Sequence, residues 1–333
     1  MAALDARIDE ITTTNRFSGV IRVEDPTGVL VERAFGLADR RFDVANSPET
    51  QFAIASGVKG LTALTVMRLI EDGILRLDTT ARSLLGTDLA SIDDAVTIEH
   101  LLAHRSGIGD YLDESAGLDL SAYLMPVPVQ DLATSEQYLD ALDGHAQVFR
   151  PGQRFAYNNA GFVVLAVLSE RATGIDFHDL VAQYVCRPAG MGSTAFLRSD
   201  ELPRSAATGY LDIDGVRTNV LHLPVRGHGD GGIYTTVADV HALWQALYEG
   251  RIVSIDAVAA MTARRSVTDS GNNAYGLGFW LDPTGPQVNL EGMDAGASFR
   301  SVHNPTTGLT YTVISNTTDG AWPVLDVLSE ILD

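Results

Sequence analysis

The chain is short of cations. Among 333 residues it has 23 Lys or Arg against 43 Asp or Glu, a formal net charge of −20. Nucleic-acid binding needs a cationic footprint, and no Lys/Arg cluster occurs. An anionic membrane surface is disfavoured for the same reason, so the acidity reads as a contribution to solubility. No apolar run approaches the roughly 18–20 residues of a membrane span. The segment Met1 to Glu10 has no basic stretch leading into an apolar one, so a secretory signal is not expected. A single cysteine, Cys186, excludes an internal disulfide; ahead of Arg187-Pro188 it reads as a buried structural thiol. Together these absences predict a cytoplasmic protein with no nucleic-acid or membrane partner. They say nothing of oligomeric state.

Lysine is scarcer still. Lys59 is the only one, and every other basic residue is arginine. Arginine keeps its proton near neutral pH, whereas a buried lysine can lose it. A lone lysine in such a chain marks either a position that needs a deprotonable amine or the accident of a depleted composition.

The 45% hydrophobic content is ample for a core, and the length suits about two lobes or one large α/β unit. Leu4 to Ile11 reads as an amphipathic helix. Phe17–Glu24 and Val29–Phe35 read as strands joined by a turn at Asp25-Pro26-Thr27-Gly28. Gly60–Asp72 is helical with one narrow polar stripe (Thr62, Thr65, Arg68, Asp72), which predicts a mostly buried helix stopped by Gly73. Further helices are expected at Ile98–His104, Ser135–Leu142, Gly161–Ala172, Phe177–Val185 and Val237–Tyr248. Strands return at Gly276–Leu281, Val288–Glu291, Ala297–Val302 and Leu309–Ser315, before a closing helix at Trp322–Leu332. This order predicts an antiparallel sheet built from both ends of the chain, flanked by terminal helices, with a mostly helical lobe inserted. The sheet lobe would hold residues 1–52 and 270–333, the helical lobe 53–269, in one domain over 1–333. A cleft between them is the expected place for a site.

Ser56-Gly57-Val58-Lys59 opens the buried helix. A spacing of three puts the hydroxyl and the amine on one face. Serine needs a base to become a nucleophile, and a lysine with a pKa lowered by burial can serve. The alternative is an N-cap serine followed by a surface lysine. Tyr157-Asn158-Asn159 precedes a second apolar helix. There a tyrosine could relay a proton and an asparagine could meet a lysine and a substrate carbonyl, or the segment is an ordinary turn with a capping asparagine.

Taken with three other segments, these two resemble the serine β-lactamase-related, penicillin-binding-protein-like family, which includes class C β-lactamases, D-aminopeptidases, D,D-carboxypeptidases and carboxylesterases. Phe52–Lys59 is similar to its nucleophile segment and Val96–Ile108 to the helix and turn that follow. Phe155–Phe162 is similar to its Tyr-x-Asn segment, Gly231–Asp239 to its Gly-Gly turn and helix, and Tyr275–Trp280 to the strand entering its last motif. The resemblance implies a β-lactamase-like α/β fold (an α+β sandwich) and acyl transfer on a small-molecule substrate without metal or cofactor. It implies Ser56 as nucleophile, Lys59 as base, Tyr157 as proton shuttle and Asn159 as an orienting residue. The oxyanion hole would be made by the backbone N–H groups of Ser56 and Met293.

The third motif departs from the family. Where Lys-Thr-Gly or His-x-Gly is usual, this chain has Leu290-Glu291-Gly292. The missing cation argues against substrates held by a carboxylate, and so for esters or small amides over penicillins. Glu291 either attracts an amine or faces outward from its strand, and Arg300 is a candidate substitute cation. A D-amino-acid peptidase or amidase, a β-lactamase, and a non-catalytic binding protein on the same fold are the alternatives.

Other signals are weaker. His100 and His104 have a helical spacing able to bind zinc but lack a third ligand, so a packed pair is expected. Gly227-His228-Gly229-Asp230-Gly231-Gly232 does not match a nucleotide-binding pattern, though His228 could line the cleft. No Gly-x-Ser-x-Gly elbow occurs.

Overall fold

A computed structural model describes residues 2–114, 117, 119, 122–268 and 273–332. The chain opens with helix α1 (Ala2–Thr14) and a hairpin, β1 (Gly19–Asp25) and β2 (Gly28–Phe35), turned at Asp25–Gly28 as expected. Short strands β3 (Leu37–Asp39), β4 (Val44–Ala45) and β5 (Phe52–Ala53) lead into α2 (Val58–Glu71). The middle of the chain supplies α3 (Ala81–Leu85), α4 (Ile98–Leu102), α5 (Ser135–Leu142), α6 (Asn159–Thr173), α7 (Phe177–Val181) and α8 (Arg187–Ala189). It continues through β6 (Tyr234–Thr235), α9 (Val237–Tyr248) and α10 (Ile255–Met261). The last part adds β7 (Ser266–Val267), β8 (Ala274–Tyr275), β9 (Trp280–Leu281), β10 (Val288–Asp294), β11 (Ala297–His303), β12 (Thr310–Ser315) and α11 (Trp322–Leu332).

Both ends of the chain build one eight-stranded sheet in the order β2-β1-β12-β11-β10-β9-β8-β7. Central strand β12 is buried along its whole length. Period-two alternation then splits its neighbours between two cores. Ile21, paired with Val313, packs under α1 and α11 with Ile8, Val324 and Leu328; Val20, paired with Ile314, faces the larger core shared with the helical lobe. Helix α2 runs through that larger core, buried from Val58 to Met67, and ends where Gly73 turns to φ +74°. Among the described residues no helix is long and apolar enough to cross a membrane.

The segment expected as one strand over Gly276–Leu281 is instead a tight reversal. Gly276 N–H bonds to Phe279 O at 2.9 Å and Gly278 sits at φ +87°, so β8 and β9 pair antiparallel across the turn. A Cβ on Gly278 would lie 2.2 Å from Ala63 Cβ, which shows how closely this turn rides on α2. Sequence reading also passed over α10 and the small β3–β4 and β5–β6 sheets, which are too short to show a periodicity.

Candidate active site

Strand β5 pairs with β6 through Phe52 and Thr235, and the chain then enters a tight 3-10 turn, Ala55–Gly57, before α2 begins. Ala55 is held at φ +46°, a left-handed conformation costly for alanine. Strain of this kind places Ser56 ahead of the helix proper rather than at its cap. Gly57 is the N-cap and no side chain caps the helix. The serine hydroxyl is therefore left to Lys59, whose Nζ donates to Ser56 Oγ at 2.8 Å. The same Nζ donates to Asn159 Oδ1 and to the Asp230 carbonyl, each at 2.8 Å. Three donors thus meet three acceptors on a side chain only 2% exposed, not the surface lysine of the alternative reading. Burial pushes the Lys59 pKa down, against the opposing pull of Asp230, Glu114, Asp294 and Asp110.

Asn158 and Asn159 divide between them the two roles open to this segment. Asn158 is the N-cap of α6, its side chain accepting Gly161 N–H at 2.6 Å. Asn159, the first helical residue, turns its oxygen to Lys59 and its Nδ2 to the Leu112 carbonyl at 2.9 Å and Glu114 Oε1 at 3.0 Å. Asp110 fixes this helix start by accepting Asn159 N–H at 2.6 Å and Ala160 N–H at 3.0 Å.

Tyr157 stacks on Trp280 with ring centroids 5.9 Å apart and packs on His104 at 4.4 Å. Lys59 Nζ lies 5.0 Å from the centre of its ring. Burial pushes the phenol pKa well up; a hydrogen bond with Ser56 works against that. His104 is the anchor of this segment. Its carbonyl accepts Ala156 N–H at 2.9 Å and its Nδ1 accepts Asn158 N–H at 3.1 Å. The predicted His100–His104 helix face does not exist, because α4 ends at Leu102 and His104 lies at φ +53°. His100 Nδ1 instead closes a capping box with Thr97 N–H. Among the described residues no group of three or more His, Cys, Asp or Glu side chains is placed to hold a metal ion.

The third motif lies on β10, whose alternation sorts its residues between the two faces of the sheet. Leu290 and Gly292 face the helical lobe. A Cβ on Gly60 of α2 would lie 2.3 Å from Leu290 Cδ2, and one on Gly292 would lie 2.6 Å from Ser56 N and 2.3 Å from Ile54 O. Only glycine lets the strand pass this close to the nucleophile turn. Glu291 and Arg300 are cross-strand partners on the opposite face, joined in a salt bridge, with the guanidinium 5.6 Å from the Trp322 ring centre of α11. Neither Glu291 nor Arg300 reaches the cleft, so the first does not receive an amine and the second does not replace the missing cation.

A pocket of about 810 Å³, open to solvent, has Ser56, Asn159, Asp230 and Asp294 in its wall. Tyr157 lines a neighbouring depression with Asp110, Glu114 and Arg154. Burial pushes both Asp110 and Asp294 up to about 7, and raises Asp230 as well. These three carboxyls were missed in the sequence, because each stands in a loop or at a strand end without a periodic signature. The glycine-rich loop held the one available hint: its Asp230 carbonyl takes Lys59 and its Gly229 carbonyl takes Thr62 Oγ1 at 2.6 Å. His228 of that loop is fully buried, stacked on Tyr138 with Nε2 2.9 Å from Ser135 Oγ, and so lies behind the pocket wall, not in it.

Known proteins similar to this chain are numerous. The crystal structure of a penicillin binding protein from Bacillus halodurans superposes with a TM-score of 0.91 over 98% of this chain and 100% of that one, at 31% identity. Esterase EstB of Burkholderia gladioli is 34% identical over 63% of this chain and 55% of its own length. A D-aminopeptidase of Brucella anthropi is 28% identical over 80% of this chain and 49% of its own. The chain thus spans about half the length of these two relatives. Sequence matching to the family model "Beta-lactamase" extends over residues 4–331, nearly end to end, and by that measure the chain belongs to the beta-lactamase family.

Proposed function

We propose that the protein is a metal-free serine hydrolase that splits esters or small amides through an acyl-enzyme on Ser56. The observation that carries this reading is the Lys59 amine, buried, 2.8 Å from the serine hydroxyl and pushed toward its neutral form. In the neutral state Lys59 donates to Asn159 and the Asp230 carbonyl and takes the Ser56 proton as Oγ attacks the substrate carbonyl. The carbonyl oxygen becomes an oxyanion between the Ser56 and Met293 N–H groups. Its collapse expels the alcohol or amine, which receives its proton by way of Tyr157. Water then enters, loses a proton to the same Lys59–Tyr157 pair, and releases the acid while Ser56 regains its hydrogen. How the pair shares that proton is one coupled titration.

Leu290 supports esters and small amides over β-lactams. Leu290 is buried against Gly60 of α2 and does not line the Ser56 pocket, so a substrate carboxylate finds no cation from the position where the third motif usually supplies one. The expected result is a higher kcat/KM for p-nitrophenyl acetate or butyrate than for penicillin G. A fluorophosphonate probe should add once, on Ser56, and Ser56→Ala should lose both labelling and turnover. An adduct on another serine by intact-mass and peptide analysis would overturn the assignment.

A further inference from the structure

The pocket beside Ser56 holds a carboxylate that the protein does not use. Asp230 is engaged: its Oδ2 takes the Tyr111 hydroxyl and its carbonyl takes Lys59. Asp294 accepts no hydrogen bond and forms no salt bridge with any described residue, yet it lines the pocket with Ser56. It shares the face of β10 with Leu290 and Gly292, and its carboxylate lies over the glycine-rich loop, where a Cβ on Gly231 would be 3.5 Å from Oδ2. The rest of the lining is largely aromatic and aliphatic, including Tyr111, Tyr138, Tyr234 and Leu223, and contains no Lys or Arg among the described residues. Asp294 is partly buried in that lining, where a carboxylate with no donor from the protein is satisfied best by a ligand that brings one.

We propose that Asp294 binds a protonated amine on the acyl half of the substrate, so that the preferred substrates are amino-acid esters or amides with a free amino group. This rests on the Ser56 hydrolase reading. The position fits the chemistry. Asp294 follows Met293, whose N–H would hold the scissile carbonyl oxygen, and consecutive Cα atoms are about 3.8 Å apart. A substituent on the carbon next to that carbonyl is therefore the part of the substrate nearest to the carboxylate. Burial raises Asp294, while the charge of Lys59 opposes the rise; a docked ammonium acts in the same sense as Lys59 and restores the ionised carboxylate. The same carboxylate, with no cation at position 290, repels substrates whose recognition depends on an anion.

The test compares the p-nitroanilides of D- and L-alanine with their N-acetyl forms at pH 7, and measures their binding to Ser56→Ala by calorimetry. A charge-assisted hydrogen bond corresponds to about 10- to 100-fold in kcat/KM or in Kd. The free-amine form should be preferred by that factor, for one enantiomer or both. In Asp294→Asn the preference should shrink at least tenfold. In Asp294→Lys it should reverse toward a substrate carrying a carboxylate, such as N-succinyl-alanine p-nitroanilide, with thermal melting confirming that each variant folds. Equal handling of free and acetylated substrates by the unaltered enzyme would overturn the proposal. So would an equal loss on both in Asp294→Asn. The binding arm needs no turnover. Failure of Ser56 to react with a neutral probe would therefore defeat the hydrolase reading on its own, whereas equal Kd values on Ser56→Ala would defeat the amine site alone.

Discussion

Two clusters of charge sit at different places on the same sheet, and only in one of them does every charged side chain meet an opposite one. Behind β1, Arg22 forms salt bridges with Glu24 and Glu32, and Glu24 in turn lies 3.2 Å from His241 Nδ1. His241 Nε2 is 3.0 Å from Thr312 Oγ1, which meets Ser301 Oγ at 2.6 Å, which accepts Trp244 Nε1–H at 2.8 Å. Both carboxylates there meet Arg22, burial pushes His241 toward its neutral form, and its hydrogen bond helps draw Glu24 down to about 2. In the cleft, Lys59 is set against Asp110, Asp230 and Asp294. Desolvation outweighs attraction, so two of these carboxyls stand at about 7 and the lysine is lowered. A fold able to pair charge so thoroughly at one place leaves it mismatched at another, and groups perturbed in this way cluster where chemistry is done.

The largest effect should come from breaking the cleft cluster at its one cation. Lys59→Arg keeps the charge but gives up the ability to lose a proton near pH 7, and its planar fork does not reproduce three acceptors around a point donor. A loss of about 10²–10⁴ in kcat is expected, measured on a neutral ester with folding checked by thermal melting. A folded variant with near-normal turnover would remove Lys59 from the proton path.

Next comes the approach of β10 to the nucleophile turn. Gly292→Ala places a methyl group 2.6 Å from Ser56 N and 2.3 Å from Ile54 O, so backbone must part from backbone. One displaced oxyanion donor costs on the order of 10²-fold in kcat, and the overpacking about 1–3 kcal/mol of stability. The cluster at β1 should be untouched, leaving its own contribution to the pH dependence of unfolding intact.

What the sequence showed of the site follows the same division. Ser56 and Lys59 are three residues apart, and Asn159 directly follows the cap of an apolar helix, so local rules suffice to bring out all three. Leu290 and Gly292 alternate with Glu291, and strict period-two reading places Glu291 away from the cleft, where the fold has it paired with Arg300. Asp110, Asp230 and Asp294 converge only through tertiary structure, and no periodic pattern marks an acid in a loop. The sheet of both termini and the inserted helices were legible from hydrophobic periodicity. The β8–β9 reversal was missed although Gly276 and Gly278 punctuate it, because the apolar residues between them read as strand.

Proton linkage sharpens the comparison. Asp294 ordinarily titrates near 4 and in the fold near 7, so between those values the folded state holds a proton that the unfolded chain has released. Stability from this group is therefore complete below about pH 4 and is lost as pH rises through about 7. Asp294→Asn should gain stability over the unaltered protein at pH 8, on the order of 1–4 kcal/mol, and show little difference at pH 4. Chemical denaturation at the two pH values checks this, and a variant less stable at pH 8 would mean that Asp294 is already well paired.

The smallest effect belongs to the cluster at β1, and its sign is opposite. Glu24 is drawn from an ordinary value of 4.5 to about 2, first by its hydrogen bond to His241 and then by Arg22, with desolvation working the other way. In that window the unfolded chain binds the extra proton. Stability from Glu24 is present above about pH 4.5 and disappears as pH falls through about 2. The Glu24 side chain is 34% exposed, so solvent screening cuts the contribution well below what the pKa difference alone would give, to about 1 kcal/mol. Glu24→Gln should lose that amount at pH 7 and converge with the unaltered protein near pH 2, while esterase turnover at pH 7 stays within about twofold, since the His241 network touches none of the groups around Ser56. Denaturation curves at pH 7 and pH 3 test the linkage. A variant whose deficit grew as the pH fell would show that Glu24 is held by packing rather than by its charge.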